Sequence, residues 1–199
     1  MSIESTELPI VSNRPKRADA RRNYDRLLAA AKAAFTETDA ETSLEGIARR
    51  AGVGIGTLYR HFPTRQILIE AVYVDEVEAL GRSARDVATL PPWEALTAWL
   101  RRFVEYAITK QALISELFAE GASNSDVFAR CRASLWEAAT PLLERAQQAG
   151  IVRSDVSIND VLYMVGGIAK APTGDPGQTE RILAVALDGL RAPATGDGG

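Results

Sequence analysis

One cysteine and one histidine occur in the 199 residues. A lone cysteine cannot staple a fold, which excludes a disulfide-rich secreted scaffold. Cys131 lies far along the chain from His61, so neither a metal-ligand cluster nor a Cys-His nucleophile pair is written in the sequence. No GxSxG segment occurs either. No catalytic residue, metal or cofactor is therefore expected, and Cys131 reads as a buried or interfacial hydrophobe rather than a redox sensor. No stretch approaches the roughly 18 consecutive apolar residues of a membrane span. The opening MSIESTELPIVSNRPKR has no apolar h-region. A cytoplasmic chain without a leader or a membrane partner is the expectation. Also missing are alternating apolar and polar runs between hairpin turns, so strands are not expected.

A surplus of one charge sign is absent overall: 23 basic residues face 26 acidic ones, for a net charge of -3. That balance argues against a nucleic-acid partner, because neutralising phosphates needs concentrated Lys and Arg. The average conceals a division along the chain. Residues 14–65 hold eleven Lys or Arg against six Asp or Glu, a net of +5, and residues 66–199 carry a net of -6. A small basic head precedes a larger acidic body, which suggests that one end meets a polyanion and the other serves a different purpose.

Helical periodicity dominates. Leu27, Leu28, Ala31, Ala34 and Phe35 recur at helical spacing from Asn23 onward. Thr42 and Ser43 are N-cap candidates for a short helix carrying Leu44, Ile47, Ala48 and Ala51, with Thr42 to Glu45 spelling a capping box and Gly52 as the stop. A helix over Ile55 to His61 follows, closed by Pro63, and Thr64 caps a long one. Further helices are predicted over Trp93–Thr109, Ala112–Glu120, Asp126–Ala149, from Ser157 or Asn159 to Lys170, and Thr179–Arg191, with Pro172–Gly177 as a loop. The fold class is all-α, with about nine helices. The expected organisation is a flexible basic arm over 1–18, a three-helix head over 19–65, a larger helical body over 66–191, and a disordered tail over 192–199.

Function is most legible in SLEGIARRAGVGIGTLYRHF, Ser43 to Phe62. Two short helices joined by a glycine-containing turn, Gly52-Val53-Gly54, describe a helix-turn-helix. Ile47, Ala48, Ala51, Val53 and Leu58 would close its core, with Gly52 supplying a positive φ. Ile55, Gly56, Thr57, Tyr59, Arg60 and His61 remain on or beside the outer face of the second helix, which would enter a major groove.

The order of a basic arm, a helix ending AAKAAF, the segment TSLEGIARRAGVGIGTLYRHF and then PTRQILIEAV closely resembles the DNA-binding region of TetR-family transcriptional repressors over residues 20–72. Phe35, Ile47-Ala48, Ala51-Gly52-Val53, Leu58-Tyr59, His61-Phe62 and Leu68 stand at that family's spacings. The resemblance implies a homodimer on double-stranded DNA at a palindromic operator, released when a small apolar effector enters the larger domain. It also implies that Ser43, Tyr59, His61 and Arg65 contact phosphates, while Ile55, Gly56 and Thr57 face bases and Arg60 is a further candidate contact. Arg65 replaces the family's usual Lys, and Gly46 stands where an acidic residue is frequent. Tyr59 either packs its ring and aims its hydroxyl at phosphate or is core alone. Arg14, Lys16, Arg17, Arg21 and Arg22 lie along phosphates or in a minor groove, or form a solvated tail.

The body places Trp99, Phe103, Tyr106, Phe118, Phe128, Arg132 and Trp136 as candidates for lining an effector cavity, with Glu116 and Glu120 as further polar contributors. Leu162, Val165, Gly166, Ile168, Ile182, Val185, Ala186 and Leu190 suggest two helices that pack against their mates in a dimer; the alternative is an intramolecular core. Two other functions remain open at this level: a constitutive DNA-binding regulator without an effector, and a helical enzyme acting on apolar small molecules.

Overall fold

The computed structural model describes residues 14–37, 42–119, 125–171 and 175–193, and the side chains of 116–119, 125, 126 and 176 fall outside that description. The helices are α1 (Ala18–Thr36), α2 (Leu44–Ala51), α3 (Ile55–His61), α4 (Arg65–Asp86), α5 (Pro92–Ala119), α6 (Ser125–Gln148), α7 (Ile158–Lys170) and α8 (Pro176–Asp188). The only extended pairing among the described residues is an isolated antiparallel bridge between Val152 and Arg191. The fold is all-α, as its periodicity predicts.

Eight helices are present among the described residues because the two expected over Trp93–Thr109 and Ala112–Glu120 are one 28-residue α5. Lys110 and Gln111, read as a break, are good helix formers with no Gly or Pro beside them. Helix α8 begins earlier than Thr179. Asp175 caps it by accepting from the Gly177 N–H at 2.9 Å, with Pro176 in the first turn, where its missing N–H costs nothing. Ser157 rather than Asn159 caps α7, in a reciprocal box with Asp160. The hydrogen bonds from Ser157 to Asp160 hold that carboxyl below its ordinary range. The expected arm falls on residues 1–13 in large part and the tail on 194–199, both outside the described residues, as are Glu120 and residues 172–174.

Two compact units divide the chain: Met1–Val77 with Thr109–Cys131, and Glu78–Ile108 with Arg132–Gly199. In the first, α1, α2 and α3 pack on one another. Leu27, Ala31, Phe35, Ile47, Ala48, Leu58, Phe62 and Leu68 are all buried there. Burying each large aliphatic side chain among them stabilises the head by about 1.5–3 kcal/mol. Ala51 and Val53, expected in this core, are only half-buried. Cys131 is buried and its thiol free of disulfide.

In the second unit, Trp99 is fully buried and donates its indole N–H to the Leu80 carbonyl at 3.0 Å, satisfying the one polar atom such burial would strand. Its ring stacks on Phe103 at 5.7 Å, and Phe103 meets Tyr106 at 5.8 Å, so α5 carries a continuous buried aromatic ridge. Helices α7 and α8 pack together. No helix among the described residues is long and apolar enough to cross a membrane.

Candidate nucleic-acid interface

Helix α2 is capped by Ser43, whose hydroxyl accepts from the Gly46 N–H at 3.0 Å. The capping box read over Thr42 to Glu45 is thus displaced by one residue. The residue three beyond the true cap is Gly46, which has no side chain to reach back, so only half of the box can form. At the other end Gly52 adopts φ 65°, ψ 34° and sends its N–H to the Ala48 and Arg49 carbonyls. The Val53 N–H also bonds the Ala48 carbonyl, at 3.0 Å. This left-handed exit turns the chain within Gly52-Val53-Gly54 and starts α3 at Ile55.

Helix α3 has two distinct faces. Leu58 is fully buried, whereas Ile55 is 39% and Tyr59 45% exposed. Gly56 and Arg60 are exposed and Thr57 and His61 half-buried. The structure therefore brings Ile55, Gly56, Thr57, Tyr59 and Arg60 together on or beside one solvent-facing surface. The exposure of Tyr59 excludes the reading in which its ring is core alone.

His61 closes α3 against Tyr24 of α1, ring edge to ring face at 5.8 Å. Partial burial, then the neighbouring Arg60 charge, push its imidazole below the ordinary range, so it is neutral at pH 7. Among the described residues no group of three His, Cys, Asp or Glu is placed to hold a metal ion.

The basic residues assigned to the arm part company. Arg14 is half-buried, and its guanidinium donates to Asp25 at 2.9 Å and to Asp75 at 3.1 Å. Arg21 donates to the Pro15 carbonyl at 3.3 Å, and Arg22 pairs with Asp19 one turn away. Lys16 and Arg17 are exposed just ahead of α1. Arg65 is half-buried, donates to the Thr42 carbonyl, and lies 5.0 Å over the Phe35 ring. Sequence reasoning missed two further ties. Lys32 bonds Glu76 at 2.6 Å, and Arg50 grips Glu37 through both guanidinium nitrogens at 2.7 and 2.6 Å. Each joins residues distant in the chain, which periodicity alone does not reveal.

In the body, Trp99, Phe103 and Tyr106 are buried, Phe128 and Trp136 half-buried and Arg132 exposed, while the side chains of Glu116 and Phe118 lie outside the described residues. Phe128 meets Tyr73 at 4.8 Å. The Trp136 indole donates to Asn159. Leu162, Val165 and Leu190 are buried inside the chain, and Gly166, Ile168 and Ala186 are half-buried. Ile182 and Val185 are exposed on α8, and Tyr163, two-thirds exposed on α7, joins them as a residue the dimer reading omitted. Within this chain the α7 glycines are not needed for close approach. A Cβ at Gly166 would meet Phe103 at an ordinary 3.8 Å, and one at Gly167 would meet nothing within 4 Å.

Comparison with known proteins agrees with this geometry. Residues 27–72 match the bacterial regulatory proteins of the tetR family, and residues 91–192 match the C-terminal domain of SbtR-like transcriptional regulators. A TetR transcriptional regulator of Streptomyces coelicolor has a similar structure, with a TM-score of 0.76 and 45% identity, covering 86% of this chain and 99% of that one. A second, from Mycobacterium vanbaalenii, has a TM-score of 0.74 and 36% identity, covering 89% of this chain and all of that one. The curated HTH-type transcriptional regulator UidR of Escherichia coli is 26% identical over 144 residues, 70% of this chain and 74% of that protein. With its helix-turn-helix head, its all-helical body and two solved TetR regulators matched along nearly their whole length, the chain belongs to the TetR family of DNA-binding transcriptional regulators.

Proposed function

We propose that this regulator is a homodimeric repressor that binds a palindromic operator and is released by a small apolar effector. The observation that carries the DNA-contact part is the two-faced α3, with Leu58 fully buried and Ile55 and Tyr59 exposed on the opposite side. In this reading the N-terminal end of α3 enters the major groove. Thr57 hydrogen-bonds a base edge, Ile55 touches a thymine methyl group, and Gly56 lets the backbone come close. Tyr59, Arg60 and His61 flank these on the phosphates, with Ser43 at the start of α2 and Lys16, Arg17, Arg21 and Arg22 ahead of α1. His61 serves there as a hydrogen-bond donor.

The head over 19–65 binds DNA, and the body over 66–191 dimerises and senses the effector. Support for a dimer comes from Tyr163, Ile182 and Val185, large apolar side chains exposed on two adjacent helices. Two such helices from each protomer form a four-helix interface. The Trp99, Phe103 and Tyr106 ridge on α5 supplies apolar walls for an effector. Effector binding favours a conformation of the body in which α4 holds the two recognition helices out of step with the half-sites.

Footprinting across the gene's own upstream region tests the reading. One protected palindrome, lost on adding the effector, is expected; absence of any protected site would overturn it. Thr57→Ala should weaken the operator complex and spare random-sequence DNA, whereas Arg60→Ala should weaken both.

A further inference from the structure

Arg65 opens α4, where a positive charge meets the positive end of the helix dipole, an unfavourable placement. Something must offset that cost. Arg65 is half-buried rather than extended into solvent, its guanidinium donating to the Thr42 carbonyl while the guanidinium carbon lies 5.0 Å over the Phe35 ring. Phe35 is buried near the end of α1, and Thr42 immediately precedes Ser43, the cap of α2. One side chain therefore joins the end of α1, the entry to α2 and the start of α4.

We propose that Arg65 is a positioning residue for DNA binding: it fixes the Thr42–Ser43 peptide, and through it the entry of α2 and the placement of α3, instead of contributing its charge to a phosphate. The carbonyl it holds belongs to the peptide plane that carries the Ser43 N–H, so holding it restricts the backbone that aims the Ser43 hydroxyl at the Gly46 N–H. The fork is essential. A guanidinium can donate in its plane to a carbonyl while its face covers an aromatic ring, and a lysine ammonium has no plane with which to do both. A second tie, between Arg50 near the end of α2 and Glu37 just after α1, also joins these two helices. This inference rests on the proposed docking of α3 on DNA.

The test uses the full-length protein and a labelled duplex selected in vitro from random sequence by that protein. Affinity is measured as a function of salt well below the melting temperature for the native chain, Arg65→Ala and Arg65→Lys. Both variants should bind about tenfold more weakly at every salt concentration, with the slope of log K against log salt unchanged. Hydrogen exchange at the Gly46 and Ile47 amides should accelerate in both.

A slope smaller by about 0.9 in Arg65→Ala would mean one lost phosphate contact, and recovery of affinity in Arg65→Lys would mean that charge alone suffices. Either result overturns the proposal, as does undiminished affinity of folded Arg65→Ala, which would leave Arg65 a role in stability only. A native chain that binds the duplex without salt dependence would instead overturn the docking reading, so the two failures are distinguishable.

Discussion

Arg14 and Asp75, 61 positions apart, are joined by a 3.1 Å hydrogen bond, with Asp25 sharing the same guanidinium nitrogen at 2.9 Å. A residue that reads as part of a basic DNA-binding arm is thereby ion-paired to two carboxylates, tying the segment before α1 to α1 and α4. Close by in sequence terms, Lys32 and Glu76 repeat the same α1-to-α4 link. Both α4 acids are adjacent, so one turn of α4 receives two cations from the N-terminal region.

Arg14→Ala should therefore act on stability more than on DNA affinity. The pair is partly solvated, with side-chain exposures of about a third, so the loss in urea denaturation should be about 0.5–1 kcal/mol. Asp75→Asn should cost a similar amount, and the double variant little more than either alone. The salt slope of DNA binding should stay at the native value. A slope lower by about 0.9 in Arg14→Ala would return this residue to the phosphate-contacting set.

Gly52 offers a test of backbone geometry without confounding sterics. Its φ of +65° suits glycine, and a Cβ there would meet nothing within 4 Å. Gly52→Ala should cost about 1–2 kcal/mol through the left-handed conformation alone, and Gly52→Asn less, since Asn tolerates that region. Equal stabilities of the three proteins in urea would show that the turn relaxes out of the left-handed region.

The α8 surface separates association from folding. Val185 is 74% exposed, so Val185→Asp should change the unfolding free energy of the protomer by less than about 0.5 kcal/mol. In the proposed dimer it buries an unpaired carboxylate at the subunit contact. Sedimentation equilibrium should show the variant shifted toward monomer, with weaker operator binding because two half-sites are no longer engaged together. An unaltered dimerisation constant would remove Val185 from the interface.

His61 should leave a signature in the pH dependence of stability. Its folded-state proton affinity is lowered by burial and by Arg60, so above the ordinary imidazole value of 6.5 both folded and unfolded chains carry it neutral and its full contribution is present. As pH falls through and below that value the unfolded chain takes up the proton first, and stability is lost. Urea midpoints followed from about pH 8 to 5 should decline less steeply in His61→Gln than in the native chain. Identical profiles would mean that the ring titrates alike in both states.

The helix-turn-helix was legible in the sequence because its constraints are local. A cap, an apolar spacing and a left-handed glycine within twenty residues dictate the turn whatever the remainder of the chain does. The merger of two expected helices into α5 was not, because Lys110 and Gln111 look polar enough to break a pattern while favouring helix by propensity. Leu162 and Val185 show the same limit from another side. Both are apolar at helical spacing, yet one is 2% and the other 74% exposed.

By itself, then, the order of residues determined the all-helical class, the DNA-binding head and the family, since periodicity, capping and turn chemistry act over a few residues. Which cations are paired within the protein was decided only by the tertiary structure. Arg14, Lys32, Arg50 and Arg65 are as basic in the sequence as Lys16, Arg17 and Arg60, but folding brings carboxylates or a carbonyl within reach of the first four. Proximity between segments far apart along the chain sets how a charge is used, and a linear reading carries no record of it.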